Sequence, residues 1–105
     1  MATKVQQFAE ALARAIKAAE DRAAVTDDGG TCNMDSVLVR LPRYNADAVT
    51  AIAKAQGIHA YKREESFWDI GSLYGQANRN EQAHRAMCES LKADGYQAYM
   101  NHRMD

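Results

Sequence analysis

At 105 residues with a formal net charge of −1, the chain has room for one domain and lacks the positive excess that holds nucleic-acid polymers or anionic membranes. Val, Ile, Leu and Phe together number 16, about 15% of the residues, while alanine alone numbers 20, so small side chains must build much of the core. The near-neutral charge and clear periodic patterns argue against disorder, and no apolar run approaches the ~20 residues of a membrane span.

Three expectations follow from these bounds. A single domain, 1–105, is expected. A core this poor in large apolar side chains is expected to be completed by a second copy of the chain. The N-terminus, MATKVQQFAEAL, carries no secretory core or cleavage pattern, so a cytoplasmic location is expected. Cys32 and Cys88 then read as free thiols, and their spacing fits no zinc pattern.

In chain order, Ala2 to Ala24 has apolar residues Val5, Phe8, Ala9, Leu12, Ala13, Ile16, Ala19 and Ala23 at spacings of three and four, which predicts an amphipathic helix. Its stripe is narrow, so it suits packing on its own domain or pairing with another copy; residues 1–26 are thus a candidate oligomerisation element. Asp27-Asp28-Gly29-Gly30 closes it with a turn. Thr31 to Leu41 reads as a strand, with Val37, Val39 and Leu41 facing one way and Leu38 and Arg40 the other; Pro42 ends it. Asn45 caps a second helix, with Ala48, Val49, Ile52 and Ala53 inward and Gly57 as its stop.

Ile58 to Lys62 and Phe67 to Tyr74 read as strands joined by a polar hairpin loop over residues 62–66. A third helix is expected from about Arg79 to Ala93, with Ala83, Ala86, Met87 and Leu91 inward and Asp94-Gly95 as its stop. Tyr96 to Met100 is a last strand, followed by an exposed tail. The fold class is α+β: an N-terminal amphipathic helix followed by β-α-β-β-α-β, with an antiparallel sheet packed by helices. The ferredoxin-like arrangement is the simplest topology with that order.

No catalytic centre emerges. His59, His84 and His102 lack metal-site spacing from Cys, Asp or Glu. His84 and Cys88 can share a helix face, which fits a surface histidine and a partly buried cysteine better than a nucleophile pair, since that pair would need a third orienting group and an oxyanion hole. Binding has more support. The segment ESFWDIGSLYGQANRN, Glu65 to Asn80, holds the single tryptophan with Phe67, Tyr74 and several hydrogen-bonding side chains. Phe67 and Trp68 alternate across their strand, so only one faces the core. If Phe67 packs inward, Trp68 is left for a pocket or an interface. Asp69 or Asn78 would read a base edge, and Asn78 also reads as a helix N-cap. Arg40, Arg43 and Tyr44 cluster at the end of the first strand, where guanidinium forks suit phosphate or a solvated strand end. Tyr96, Tyr99, Asn101, His102 and Arg103 form a second aromatic and basic group.

The Ala-rich opening helix with Arg14, the strand from Cys32-Asn33-Met34-Asp35 to Leu41-Pro42-Arg43, the Phe67-Trp68-Asp69 group and Asn78 opening a later helix give the chain an ordering that resembles the first-described type of phage Thoeris anti-defence protein. The resemblance covers most of the chain. It implies a sponge and not an enzyme: a homo-oligomer, dimer or hexamer, in the cytoplasm of an infected bacterium, that sequesters cyclic ADP-ribose isomers unmodified and needs no cofactor. It further implies stacking of adenine on Trp68, a pocket shaped by Phe67 and Asp69, a hydrogen bond from Asn78, Arg43 or Arg103 at the pyrophosphate, and Arg14 at a second site for cyclic oligonucleotides. The alternatives are a small counter-defence inhibitor that binds protein through its aromatic residues, in the manner of an anti-CRISPR, and a small enzyme using His84 or His102 as a base.

Overall fold

The structure is a computed structural model and describes residues 2–30 and 34–102. The elements run α1 (Lys4–Ala24), β1 (Ser36–Arg40), α2 (Ala46–Ala55), β2 (His59–Lys62), β3 (Phe67–Gly71), α3 (Ala77–Ala93) and β4 (Ala98–Asn101). This is the expected order. The sheet has four strands in the order β2-β3-β1-β4, and every neighbouring pair is antiparallel. Two interleaved β-α-β units give that order, which is the ferredoxin-like arrangement.

The helices gather on one face of the sheet. Val37, Val39, Trp68, Ile70 and Ala98 from the strands share a single buried cluster with Phe8 and Leu12 of α1, Val49 of α2, and Met87 and Leu91 of α3. Helix α1 starts on a capping box, in which the Thr3 hydroxyl accepts from the Gln6 N–H and the Gln6 side chain accepts from the Thr3 N–H. It buries Phe8, Ala11, Leu12, Ala15 and Ala19 and packs chiefly on α3, so its stripe is spent within the chain. Ala13, expected inward, is exposed, while Ala11 and Ala15 are buried. Period alone cannot fix which alanines of an alanine-rich helix face inward, since they differ little from their neighbours.

The turn after α1 is pinned to the start of α3. Asp28 accepts from the Gln76 N–H at 2.9 Å and pairs with Arg79 at 3.2 Å, while Arg79 Nε donates to the Thr26 carbonyl at 2.7 Å. These contacts change the expected helix boundary. Helix α3 begins at Ala77, and the N-cap position is held by Gln76, whose side chain makes no cap hydrogen bond. Asn78 is therefore not the cap. It lies in the first turn, and its N–H donates to the Gly29 carbonyl at 2.9 Å, so the preceding loop satisfies the free donors there. Gly75 sits at φ 126°, and a β-carbon there would lie 2.6 Å from Arg79 Cδ and 2.8 Å from Asp28 Oδ1.

The remaining boundaries shift modestly. Strand β1 begins at Ser36, and residues 31–33 of the expected strand lie outside the described residues. Strand β3 ends at Gly71 instead of Tyr74, because the chain leaves the ladder to reach α3. Asn101, expected in an exposed tail, belongs to β4, where it pairs with Ser36. Asn45 and Gly57 cap and close α2 as expected; the Asn45 side chain accepts from the Ala48 N–H, and Gly57 takes φ 79°.

Candidate functional site: the open face of the sheet

Strand β3 decides which aromatic residue is available. Trp68 and Ile70 point into the helix-covered core, and Trp68 is only 3% exposed. The conditional reading of the sequence is thus reversed: Trp68 packs inward, while half-buried Phe67 projects from the face that no helix covers. The strand register assembles that open face. Tyr61, Asp69, Leu38 and Tyr99 form one row across β2, β3, β1 and β4, and Phe67 lies opposite Arg40 in the next. Tyr61 and Tyr99, at the two edges of the row, are 63% and 51% exposed. The Phe67 and Tyr99 rings are 6.0 Å apart and tilted, and His59 stacks on Tyr61 at 5.1 Å.

Asp69 is the polar centre of this face and is 2% exposed. A carboxylate removed from water needs compensating donors. Asn101 Nδ2 donates to Oδ2 at 3.1 Å, and Arg63 Nη1 lies 3.7 Å from the same oxygen. His59 Nε2 stands 3.5 Å from Oδ1, which has no hydrogen-bond donor among the described residues. Asp69 therefore draws two positively chargeable side chains, Arg63 and His59, over an aromatic sheet surface. A concavity of about 270 Å³ opens at the hairpin end of this face, lined by Leu38, Arg63, Glu64 and Phe67.

Two further concavities lie at the ends of the sheet. One of about 370 Å³ is bordered by Met34, Asp35, His59, Ser72, Leu73 and Asn80. Beneath it lies His84, which is fully buried and not on the surface. Its Nδ1 faces the Asn80 carbonyl at 2.8 Å and its Nε2 accepts from the Ser72 N–H at 3.3 Å, which defines a neutral ring protonated on Nδ1. Burial pushes its pKa below the ordinary histidine value. Gly71 is glycine because a β-carbon there would come within 2.7 Å of His84 Nε2. His102 Nδ1 lies 2.9 Å from Oδ2 of the buried Asp35. No cluster among the described residues could hold a metal ion. The other concavity, of about 430 Å³, lies past the end of β1 and includes Lys4, Arg40, Tyr44, Tyr96 and Gln97 in its lining.

The structure brings together only part of the expected set. Phe67 and Asp69 share the open face, whereas Trp68 is in the core behind them. Asn78 is exposed at the start of α3, held through its backbone to the Gly29 loop. Arg43 lies in the turn after β1 at φ 62°, its carbonyl bonded by Lys4. Arg14 makes an exposed ion pair with Asp94 of its own chain at 3.1 Å. Arg103 lies outside the described residues. Tyr61, Arg63 and Lys4 are the site residues that sequence reasoning passed over. The signal for Tyr61 and Arg63 was present, since in a hairpin they fall in phase with Phe67 and Asp69. Lys4 carried none, because its neighbours come from a turn nearly forty residues further on.

No protein-family model, no curated protein and no solved structure matches the chain.

Proposed function

We propose that this chain is a small-ligand binding module that captures a nucleotide on the open sheet face and leaves it chemically intact. The observation that carries the reading is the face itself: Phe67, Tyr99 and Tyr61 stand uncovered around a buried carboxylate that gathers Arg63 and His59. Aromatic faces stack on bases, and guanidinium groups meet phosphate. The resemblance to the Thoeris anti-defence proteins supplies the ligand class, a cyclic ADP-ribose-type signal held by a non-enzymatic sponge in an infected bacterial cell. Stacking moves from Trp68 to Phe67 and Tyr99 in this reading, because Trp68 is occupied by the core. Association of copies through the same face would enclose the ligand on a second side.

The test is calorimetric titration with a panel of cyclic ADP-ribose isomers and cyclic di- and trinucleotides, followed by heat denaturation and mass analysis of the released ligand. Saturable binding, release at unchanged mass, and a loss of roughly tenfold or more in Phe67→Ala and Tyr99→Ala are expected, since stacking contributes about 1–3 kcal/mol per base. A changed product mass would mean an enzyme. Absence of binding across the panel would overturn the reading and favour the protein-binding alternative, for which exposed Tyr61 and Tyr99 are suited as interface anchors.

A further inference from the structure

The geometry points to an anion subsite at the end of β1, built by Lys4 and Arg40, that takes a phosphate group, free or carried on a larger molecule. Three observations converge on it. The concavity of about 430 Å³ has Lys4, Arg40, Tyr44, Tyr96 and Gln97 among its lining residues, and none of the residues that line it is acidic. Arg40 makes no ion pair among the described residues, whereas Arg14, Lys17, Arg22, Arg63, Arg79 and Arg85 each pair with a carboxylate. Lys4 is the first residue of α1, the end of a helix where the backbone dipole already concentrates positive charge, and α1 has no acidic residue in its first turn.

Lys4 is nonetheless held in place. Its ammonium donates to the carbonyls of Pro42 and Arg43 and stands 4.6 Å from the centre of the Tyr44 ring. A lysine so bonded has a third N–H for another acceptor. The Arg40 backbone N–H donates to the Gln97 carbonyl at 2.9 Å, which fixes the root of its side chain beside the cavity. Lys4, held by its ammonium, and Arg40, held by its backbone, border one hollow in a chain whose net charge is −1, so this charge is local and not a reflection of a basic surface. A compact, multiply charged oxyanion is the chemistry that accepts from an ammonium and a guanidinium together.

The subsite also bears on the ligand of the open face. Arg40 lies directly opposite Phe67 in the strand register, so the hollow and the aromatic face share one side chain. A ligand with a base on Phe67 would carry its phosphate toward Arg40. That link rests on the proposed function; the anion subsite itself does not.

The test is titration of the isotope-labelled full chain with inorganic phosphate near neutral pH, at constant ionic strength, followed by amide chemical shifts. Saturable shifts confined to residues 40–44 and 95–97 and to the first turn of α1, weakened about tenfold or more in Arg40→Gln and in Lys4→Gln, are expected. Shifts reproduced by chloride, or retained in both variants, would overturn the subsite. A second arm compares inorganic phosphate with a nucleoside monophosphate and the matching nucleoside. Phosphate binding without any gain from the base leaves the subsite standing and removes the nucleotide reading. Nucleotide binding that is indifferent to Arg40→Gln and Lys4→Gln, with no saturable shifts from inorganic phosphate, removes the subsite and leaves that reading in place.

Discussion

Truncating Trp68 and truncating Phe67 should separate folding from binding. Trp68 is 3% exposed in the cluster that joins the sheet to all three helices, so Trp68→Ala removes buried area and leaves a cavity. Losses of this kind run to about 3–5 kcal/mol. A domain of this size has roughly 5–15 kcal/mol of total stability, and each kcal/mol shifts Tm by about 4–8 °C, so the melting temperature should fall by more than ~10 °C. Phe67 is half-buried on the open face, where its loss leaves no closed cavity. Phe67→Ala should cost about 1 kcal/mol, from apolar area alone. Urea denaturation followed by far-UV circular dichroism gives both values, with unchanged m showing that the denatured state is not altered. If Phe67→Ala is the more damaging of the two, β3 is out of register by one residue. Every side chain of that strand then belongs on the other face, and the open-face site does not exist.

Gly75→Ala should destabilise the chain by roughly 1–3 kcal/mol, because φ 126° and the approach of Arg79 and Asp28 both oppose a β-carbon; an unchanged denaturation midpoint would refute the pinned loop. His84 is buried neutral with its pKa lowered chiefly by desolvation, so the unfolded chain takes up a proton before the folded chain does. Stability should therefore fall as pH drops below the ordinary value of 6.5. His84→Gln should flatten that slope in urea titrations across pH, and identical slopes in both proteins would contradict the assignment. Cys88 is buried and its thiol is pushed up by desolvation, so native protein near neutral pH should resist alkylation at Cys88 and react on unfolding; peptide mass analysis reports it separately from Cys32.

The architecture was legible because each element carried its own punctuation. Asn45 and Gly57 bracket α2, Pro42 stops β1, and Asp94-Gly95 stops α3 before β4. Those signals are local, and local chemistry fixes where an element begins and ends. The boundary that failed, at Asn78, is one where a distant loop supplied the hydrogen bonds that a cap residue would have made.

The orientation of β3 shows how the site was lost and how it could have been found. Pairing Phe67 with Trp68 as two aromatic residues leaves the inward one undetermined. Extending the alternation by two positions removes the ambiguity: Ile70 shares a face with Trp68, and Asp69 lies between them on the face of Phe67. Isoleucine belongs inside and a carboxylate belongs with donors, so the strand should turn Trp68 inward. What no alternation conveys is that Asp69 is itself buried. Its cover comes from Tyr61 and Arg63 of the hairpin partner and from Asn101 of β4, far away in sequence. The site is thus legible as a set of faces and illegible as a set of contacts, because contacts between strands depend on an order, β2-β3-β1-β4, that no single strand encodes.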